Sequence, residues 1–154
     1  MDDLQRLVAI EEIRRVKTRY WNGFDFKDPV LLRSAFDDAV ECDYRLSPAE
    51  PRESPGYFTD PDKFVRDMLA ILAGYASSHQ GHSIELDFVS ETEAQGVWAF
   101  SDHFWFKGDG DAKMLPQLGR RYQSWGHYHD RYRKTAKGWR IYYSSFKTLH
   151  VERS

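Results

Sequence analysis

The prevailing hydrophobic period of this chain changes at Gly74. Before that glycine most apolar residues recur at three- and four-residue steps, with one short strand-like stretch, and after it they alternate every second residue. A segment can satisfy only one of these patterns, because helical side chains repeat about every 3.6 residues and strand side chains every two. Helices first and long strands afterwards describe an α+β domain.

From Leu4 to Phe24 the residues Leu7, Ile10, Ile13, Val16, Tyr20 and Phe24 predict an amphipathic helix with Arg14, Arg15 and Lys17 toward solvent. Asp28-Pro29, a cap followed by a first-turn proline, starts a short second helix carrying Val30, Leu31 and Phe36 and ending before Asp37-Asp38. Ala39 to Leu46 is read as a strand. Ser47 to Pro61, with four prolines, is read as a loop that could border a ligand site. A third helix runs from Asp60-Pro61 to Ala73, where Gly74 closes it.

Beyond Gly74 strands are expected at about 78–90, 94–106, 121–135 and 139–151, with turns at Lys107-Gly108-Asp109-Gly110-Asp111 and Ala136-Lys137-Gly138. The 94–106 strand is apolar on both faces: Trp98, Phe100, Phe104 and Phe106 on one, Val97, Ala99 and Trp105 on the other. Its sheet should therefore be covered on both sides, by the helices and by another subunit. No repeat or linker divides residues 1–154, which are expected to form one domain.

Lys plus Arg (22) nearly balance Asp plus Glu (24) and form no basic block, which argues against a nucleic-acid partner. No apolar run approaches the ~20 residues that span a bilayer. Partners are expected to be a small molecule and further copies of the chain. The single cysteine, Cys42, and an N-terminus without a signal-type apolar core make a reduced cytoplasmic setting the default. Aromatics reach 16% of residues, enough to line a pocket as well as a core.

Five of the six histidines, His79, His82, His103, His127 and His129, fall in the strand region, and imidazole titrates near neutral pH. By strict alternation His82 shares a face with Ile84, Leu86 and Phe88, so periodicity favours it as the buried member; a bulge at Gly81 would reset the parity. His103 is either a core or a pocket residue. His127 and His129 share one strand face and could hold a metal, but no carboxylate follows at a useful spacing, so cross-strand pairing is preferred and no metal or other cofactor is expected. Asp25, between Phe24 and Phe26, is either a solvated helix-terminal aspartate or a buried partner for a histidine N–H. Phosphate loops, nucleophile elbows and paired-cysteine metal motifs are missing from the sequence.

Three passages in order, Tyr20-Trp21-Asn22-Gly23-Phe24-Asp25-Phe26-Lys27-Asp28, Glu41-Cys42-Asp43-Tyr44-Arg45 and Ser78-His79-Gln80-Gly81-His82, resemble the SnoaL-like branch of the nuclear transport factor 2-like superfamily. The likeness is strongest to its scytalone dehydratase members, and it extends to the dehydrochlorinase and bile acid dehydratase types. It implies a cone-shaped barrel of curved mixed sheet with three helices from the N-terminal half enclosing a pocket, in a homotrimer or dimer. It implies a cofactor-independent lyase with Asp25 and His79 as a catalytic dyad, which overrides the parity preference for His82. Tyr44 would polarise a substrate carbonyl, and His103 would be a second pocket histidine. Tyr20, Phe24, Trp125, Tyr128 and Lys147 would contact the substrate.

Departures accompany the likeness. Phe24 stands where the dehydratases have a second tyrosine, and the His79-to-His103 spacing is one residue short, so His103 needs a bulge to face the pocket. Isomerisation, cyclisation or non-catalytic assembly, as in the small subunits of aromatic-ring dioxygenases, are the alternatives on the same scaffold. In the implied elimination, His79 takes a proton from the carbon beside a carbonyl while Asp25 fixes its tautomer.

Overall fold

A computed structural model describes residues 1–45, 56–108 and 119–154. Three helices, α1 (Asp3–Asp25), α2 (Pro29–Arg33) and α3 (Pro61–Ile71), accompany six strands. The strands are β1 (Phe36–Asp43), β2 (Tyr57–Phe58), β3 (Tyr75–Phe88), β4 (Glu93–Phe106), β5 (Arg121–Thr135) and β6 (Gly138–Arg153). Residues 47–55 of the expected Ser47–Pro61 loop, the end of the expected first strand at Leu46 and the turn residues 109–111 lie outside the described residues; the rest of that loop carries β2 and the Asp60 cap of α3.

Each helix begins where its capping chemistry dictates. Asp2 accepts from the Gln5 N–H while the Gln5 side chain accepts from the Asp2 N–H, a reciprocal box that satisfies two orphan donors. Asp28 and Asp60 each accept from two N–H groups of the following turn, with Pro29 and Pro61 at the first helical position. The second helix is shorter than expected. It stops at Arg33, and Phe36 opens β1 instead of closing the helix.

The strands form one sheet in the order β2-β1-β6-β5-β4-β3. The β1–β6 pair is parallel and the others are antiparallel. The expected cone is thus an open, curved mixed sheet, because β2 and β3 remain as edges and the ladder does not close into a barrel. Register shifts between Gly81 and Ile84, Trp125 and Gly126, and Arg131 and Tyr132 bend the long strands, as bulges do. α1 packs against β3 and β6, so its lower turns lie over the inner face of the sheet. Among the described residues no helix is long and apolar enough to cross a membrane.

Two expectations for α1 need correction. Leu7, assigned to the buried stripe, is 63% exposed beside exposed Leu4 and Val8, because the first turns of α1 project beyond the sheet. Lys17, assigned to solvent, is completely buried. It lies four residues after Ile13 and three before Tyr20, on the stripe that faces the core.

Candidate active site

Asp25 ends α1, and its place depends on how that helix meets α2. A Cβ at Gly23 would lie 2.6 Å from the Leu32 backbone, so only glycine allows the two helices to touch there. The chain then turns through Lys27, a non-glycine residue at φ 57°, whose Nζ donates to the Phe24 carbonyl at 2.8 Å and to Ser77 Oγ at 2.9 Å. These contacts hold the end of α1 against β3.

On β3 the Asp25 carboxylate collects three donors. Oδ1 accepts from Ser77 Oγ at 2.8 Å and from His79 Nδ1 at 2.6 Å, and Oδ2 accepts from the His79 backbone N–H at 2.8 Å. Burial works against the charged form, but the bonds from His79 and Ser77 outweigh it and hold Asp25 below the usual carboxylate range. A carboxylate can only accept, so the ring hydrogen sits on Nδ1 and the neutral imidazole presents a lone pair at Nε2. Nε2 has no hydrogen-bond partner among the described residues. Phe24 stacks on the ring at 5.3 Å between centroids, and Phe104 meets it edge-on at 5.3 Å.

His79 faces inward because of the bulge. Ser77, His79 and Gly81 share the inner face, the register then shifts, and Ile84 and Phe88 return to that face. His82, which alternation favoured, is exposed, and its Nε2 pairs with Ser101 Oγ at 3.1 Å. Gly81 admits the Trp21 ring, which an added Cβ would meet at 1.8 Å.

A second polar system lies deeper. Lys17 Nζ is 2.8 Å from Asp130 Oδ2, both side chains wholly buried, and rests 3.5 Å from the centroid of the Tyr128 ring. Ser144 Oγ donates to Asp130 Oδ1 at 2.7 Å, and the Tyr132 hydroxyl donates to Oδ2 at 2.8 Å. Because Ser144 spends its hydrogen on Asp130, its oxygen accepts from the Tyr44 hydroxyl at 3.2 Å; the Tyr20 hydroxyl lies 3.3 Å from Tyr44. Tyr44 therefore donates toward Asp130. The expected donation to a substrate carbonyl would require that bond to break. Burial pushes the Tyr20, Tyr44 and Tyr128 phenols up and the Lys17 ammonium down.

Asp102 is the third element. It points inward from β4, opposite His79 in the β3–β4 ladder, and is 6% exposed. Its Oδ1 is sealed from solvent with no hydrogen-bond partner. Burial pushes its carboxyl up to about 6, against the pull of His79 and Lys17.

The structure brings together Asp25, His79, Tyr44, Tyr20, Phe24 and Tyr128 on the inner side: Phe24 touches Tyr20 and His79, and Tyr20 touches Tyr128. Three other expected site residues are elsewhere. No bulge interrupts the β4–β5 register, so His103 keeps the outward parity its short spacing implied, beside Trp105 and Gln123. Trp125 alternates with inward Ser124 and Gly126 and stacks outside on His150. The irregularity near Tyr143 sets Ser144 and Phe146 inward, leaving Lys147 exposed opposite His127. Among the described residues no three His, Cys, Asp or Glu side chains are grouped to hold a metal, and His127 and His129 have no third ligand.

Lys17, Asp102, Asp130 and Ser144 were not singled out in the sequence, although a signal existed. Asp102 lies midway between Phe100 and Phe104, and Asp130 between Tyr128 and Tyr132. Each is a charged residue at an apolar parity position. A cleft of about 1070 Å³ lined by Arg33, Asp62, Arg66, Lys137 and Arg140 contains none of Asp25, Tyr44, His79 or Asp102. A carboxylate-tethered imidazole has a defined chemical task that the surface charges of the cleft lack, which makes Asp25 and His79 the candidate site.

Residues 5–144 match a family described as the SnoaL-like domain. No curated protein matches the chain. The chain is similar in structure to a candidate scytalone dehydratase from Novosphingobium aromaticivorans DSM 12444, at 21% identity and TM-score 0.77, covering 97% of this chain and 90% of that one. It is also similar to the hexachlorocyclohexane dehydrochlorinase LinA-type3 from Novosphingobium barchaimii LL02, at 16% identity and TM-score 0.77, covering 98% and 93%. The Kfla4162 protein from Kribbella flavida is a further neighbour, at 19% identity and TM-score 0.78, covering 96% and 95%. At such identities the likeness shows a shared fold.

Proposed function

Because the chain belongs to the SnoaL-like domain family, we propose that it is a cofactor-independent lyase of the dehydratase kind, acting on a small hydrophobic cyclic carbonyl compound. The observation that supports this most is the 2.6 Å contact between Asp25 Oδ1 and His79 Nδ1, which leaves Nε2 as an unpartnered base among aromatic rings. Such a base can remove a proton from a carbon made acidic by a neighbouring carbonyl. Asp25 holds the reactive tautomer and stabilises the imidazolium that forms, help worth about 10²–10⁴ in rate. Phe24, Phe104, Tyr20 and Tyr128 suit a planar or alicyclic substrate and keep water from the reacting carbon.

The dehydratase and dehydrochlorinase names of the structural neighbours agree with an elimination, but those names belong to the neighbours. A reducing cytoplasmic setting is part of the proposal, supported by the buried thiol of Cys42, whose pKa burial pushes up to about 12.

The test is turnover of 3-hydroxy-1-tetralone, a fused cyclic β-hydroxyketone whose loss of water gives 1-naphthol, followed by absorbance. The wild-type protein is expected to accelerate the reaction, and Asp25→Asn and His79→Ala to lose at least 10²-fold of that acceleration. Equal rates for wild type and His79→Ala would overturn the reading.

A further inference from the structure

Asp102 is a buried carboxyl whose Oδ1 has no hydrogen-bond partner among the described residues. Native interiors pair almost all of their buried polar groups, so an orphan in the middle of a sheet asks for a reason. Its neighbours supply one. Asp102 and His79 are directly opposed on β4 and β3 and both point inward, which puts their Cβ atoms about 4.5–5.5 Å apart. Asp25 already occupies Nδ1 on the other side of the imidazole. The wall of the site therefore carries a base and a separate acid side by side.

We propose that Asp102 is a second catalytic residue, the acid that protonates the oxygen leaving the β-carbon while His79 removes hydrogen from the α-carbon. The proposal rests on the lyase reading and deepens it, since a single histidine need not carry both proton transfers. In the step, the α C–H bond breaks and its proton goes to His79 Nε2. The electron pair forms the C=C bond, the C–O bond breaks with its own pair, and the departing oxygen takes the Asp102 proton to become water. His79 is left protonated and Asp102 ionised, and transfer of one proton from the first to the second restores both. The net change is substrate to unsaturated carbonyl plus water.

Two further features fit this assignment. Acid and base project from the same face of one sheet, so hydrogen and hydroxyl depart from the same side of the ring, a syn elimination. Burial also keeps a protonated fraction of Asp102 near neutral pH, which an exposed aspartate would lack. Of the other charges that act on this carboxyl, Lys17 favours its ionised form but is itself paired with Asp130, and Asp25 favours its protonated form.

The test separates the two proton transfers. Exchange of the α-hydrogens of 1-tetralone in D₂O, followed by NMR, reads only the base step, because that probe has no leaving group. Elimination from 3-hydroxy-1-tetralone reads both steps. Asp102→Asn, nearly isosteric and unable to give up a proton, is expected to lose 10²–10³-fold in elimination while exchange slows less than tenfold. His79→Ala is expected to lose both. Asp102→Asn that loses both reactions equally, or neither, overturns the role of Asp102 and leaves the lyase reading standing. Wild-type protein that catalyses neither reaction overturns the lyase reading, and this proposal with it. A thermal melt of Asp102→Asn, expected to match or exceed wild type, shows that any loss is not a failure to fold.

Discussion

His79 Nδ1 and Asp25 Oδ1, 54 residues apart in sequence, lie 2.6 Å apart, and the His79 backbone N–H meets the other carboxylate oxygen at 2.8 Å. One aspartate thus fixes both the ring and the strand that carries it. Asp25→Asn keeps the shape but replaces one of the two accepting oxygens with an NH₂ donor, so the side chain no longer holds the one tautomer. We expect a loss of 10²–10⁴ in kcat on 3-hydroxy-1-tetralone with a much smaller change in KM, read from steady-state kinetics.

The same pair gives stability a defined pH dependence. Hydrogen bonds hold the Asp25 carboxyl below its ordinary value, so its contribution is complete above about pH 4 and is lost as pH falls through the folded-state value. The stability gap between wild type and Asp25→Asn should narrow as pH falls below 4. Urea denaturation at pH 7 and pH 3 checks this, and a gap that widens in acid would contradict it.

Asp102 carries the opposite sign. Its folded-state value is raised to about 6, so the folded protein loses stability as pH rises from about 4 to about 6, and the full cost persists above that. Two pKa units correspond to roughly 3 kcal/mol. Asp102→Asn should therefore match wild type near pH 4 and exceed it by up to that amount at pH 7.5 in urea denaturation. His79, Asp25 and Lys17 are the groups whose charge acts on it.

Lys17 and Asp130 form a wholly buried ion pair. Removing one partner strands the other, so Lys17→Met alone should cost about 3–5 kcal/mol. Lys17→Met combined with Asp130→Asn should cost much less than the sum of the two single changes. Guanidinium denaturation of the four proteins in the cycle measures the coupling, and additive effects would show that the pair does not act as one unit.

The order of elements was legible in the sequence because the starts of α2 and α3 each carry a capping aspartate and a proline, because apolar residues recur at helical spacing along α1, and because two-residue alternation runs unbroken through β4 and β5. What parity alone missed follows from bulges. Gly81 inverted the parity choice between His79 and His82, and the irregularity near Tyr143 turned outward Lys147, which resemblance had drawn into the site. His103 and Trp125 show the reverse, since plain alternation puts both outside and only resemblance drew them into the site. Lys17 was misread because a charged residue on an apolar stripe was given to solvent, although its spacing placed it with Ile13 and Tyr20.

The outer face of β4 and β5 carries Trp105, 40% exposed, and the half-buried Trp125 and Val97. We expect a second copy of the chain to cover this face, giving a dimer or trimer by light scattering. Trp105→Glu with Trp125→Glu should shift the mass toward the monomer, and a wild-type monomer at micromolar concentration would contradict the expectation.

In the proposed elimination His79 Nε2 takes the proton. His79→Ala removes the base and leaves space beside Phe24 and Phe104, so added imidazole should enter and restore part of the lost turnover of 3-hydroxy-1-tetralone. The rescue should saturate with imidazole concentration and vanish in Asp25→Asn/His79→Ala, where nothing orients the added ring. A His79→Ala protein that keeps the wild-type rate without imidazole would show that another group is the base.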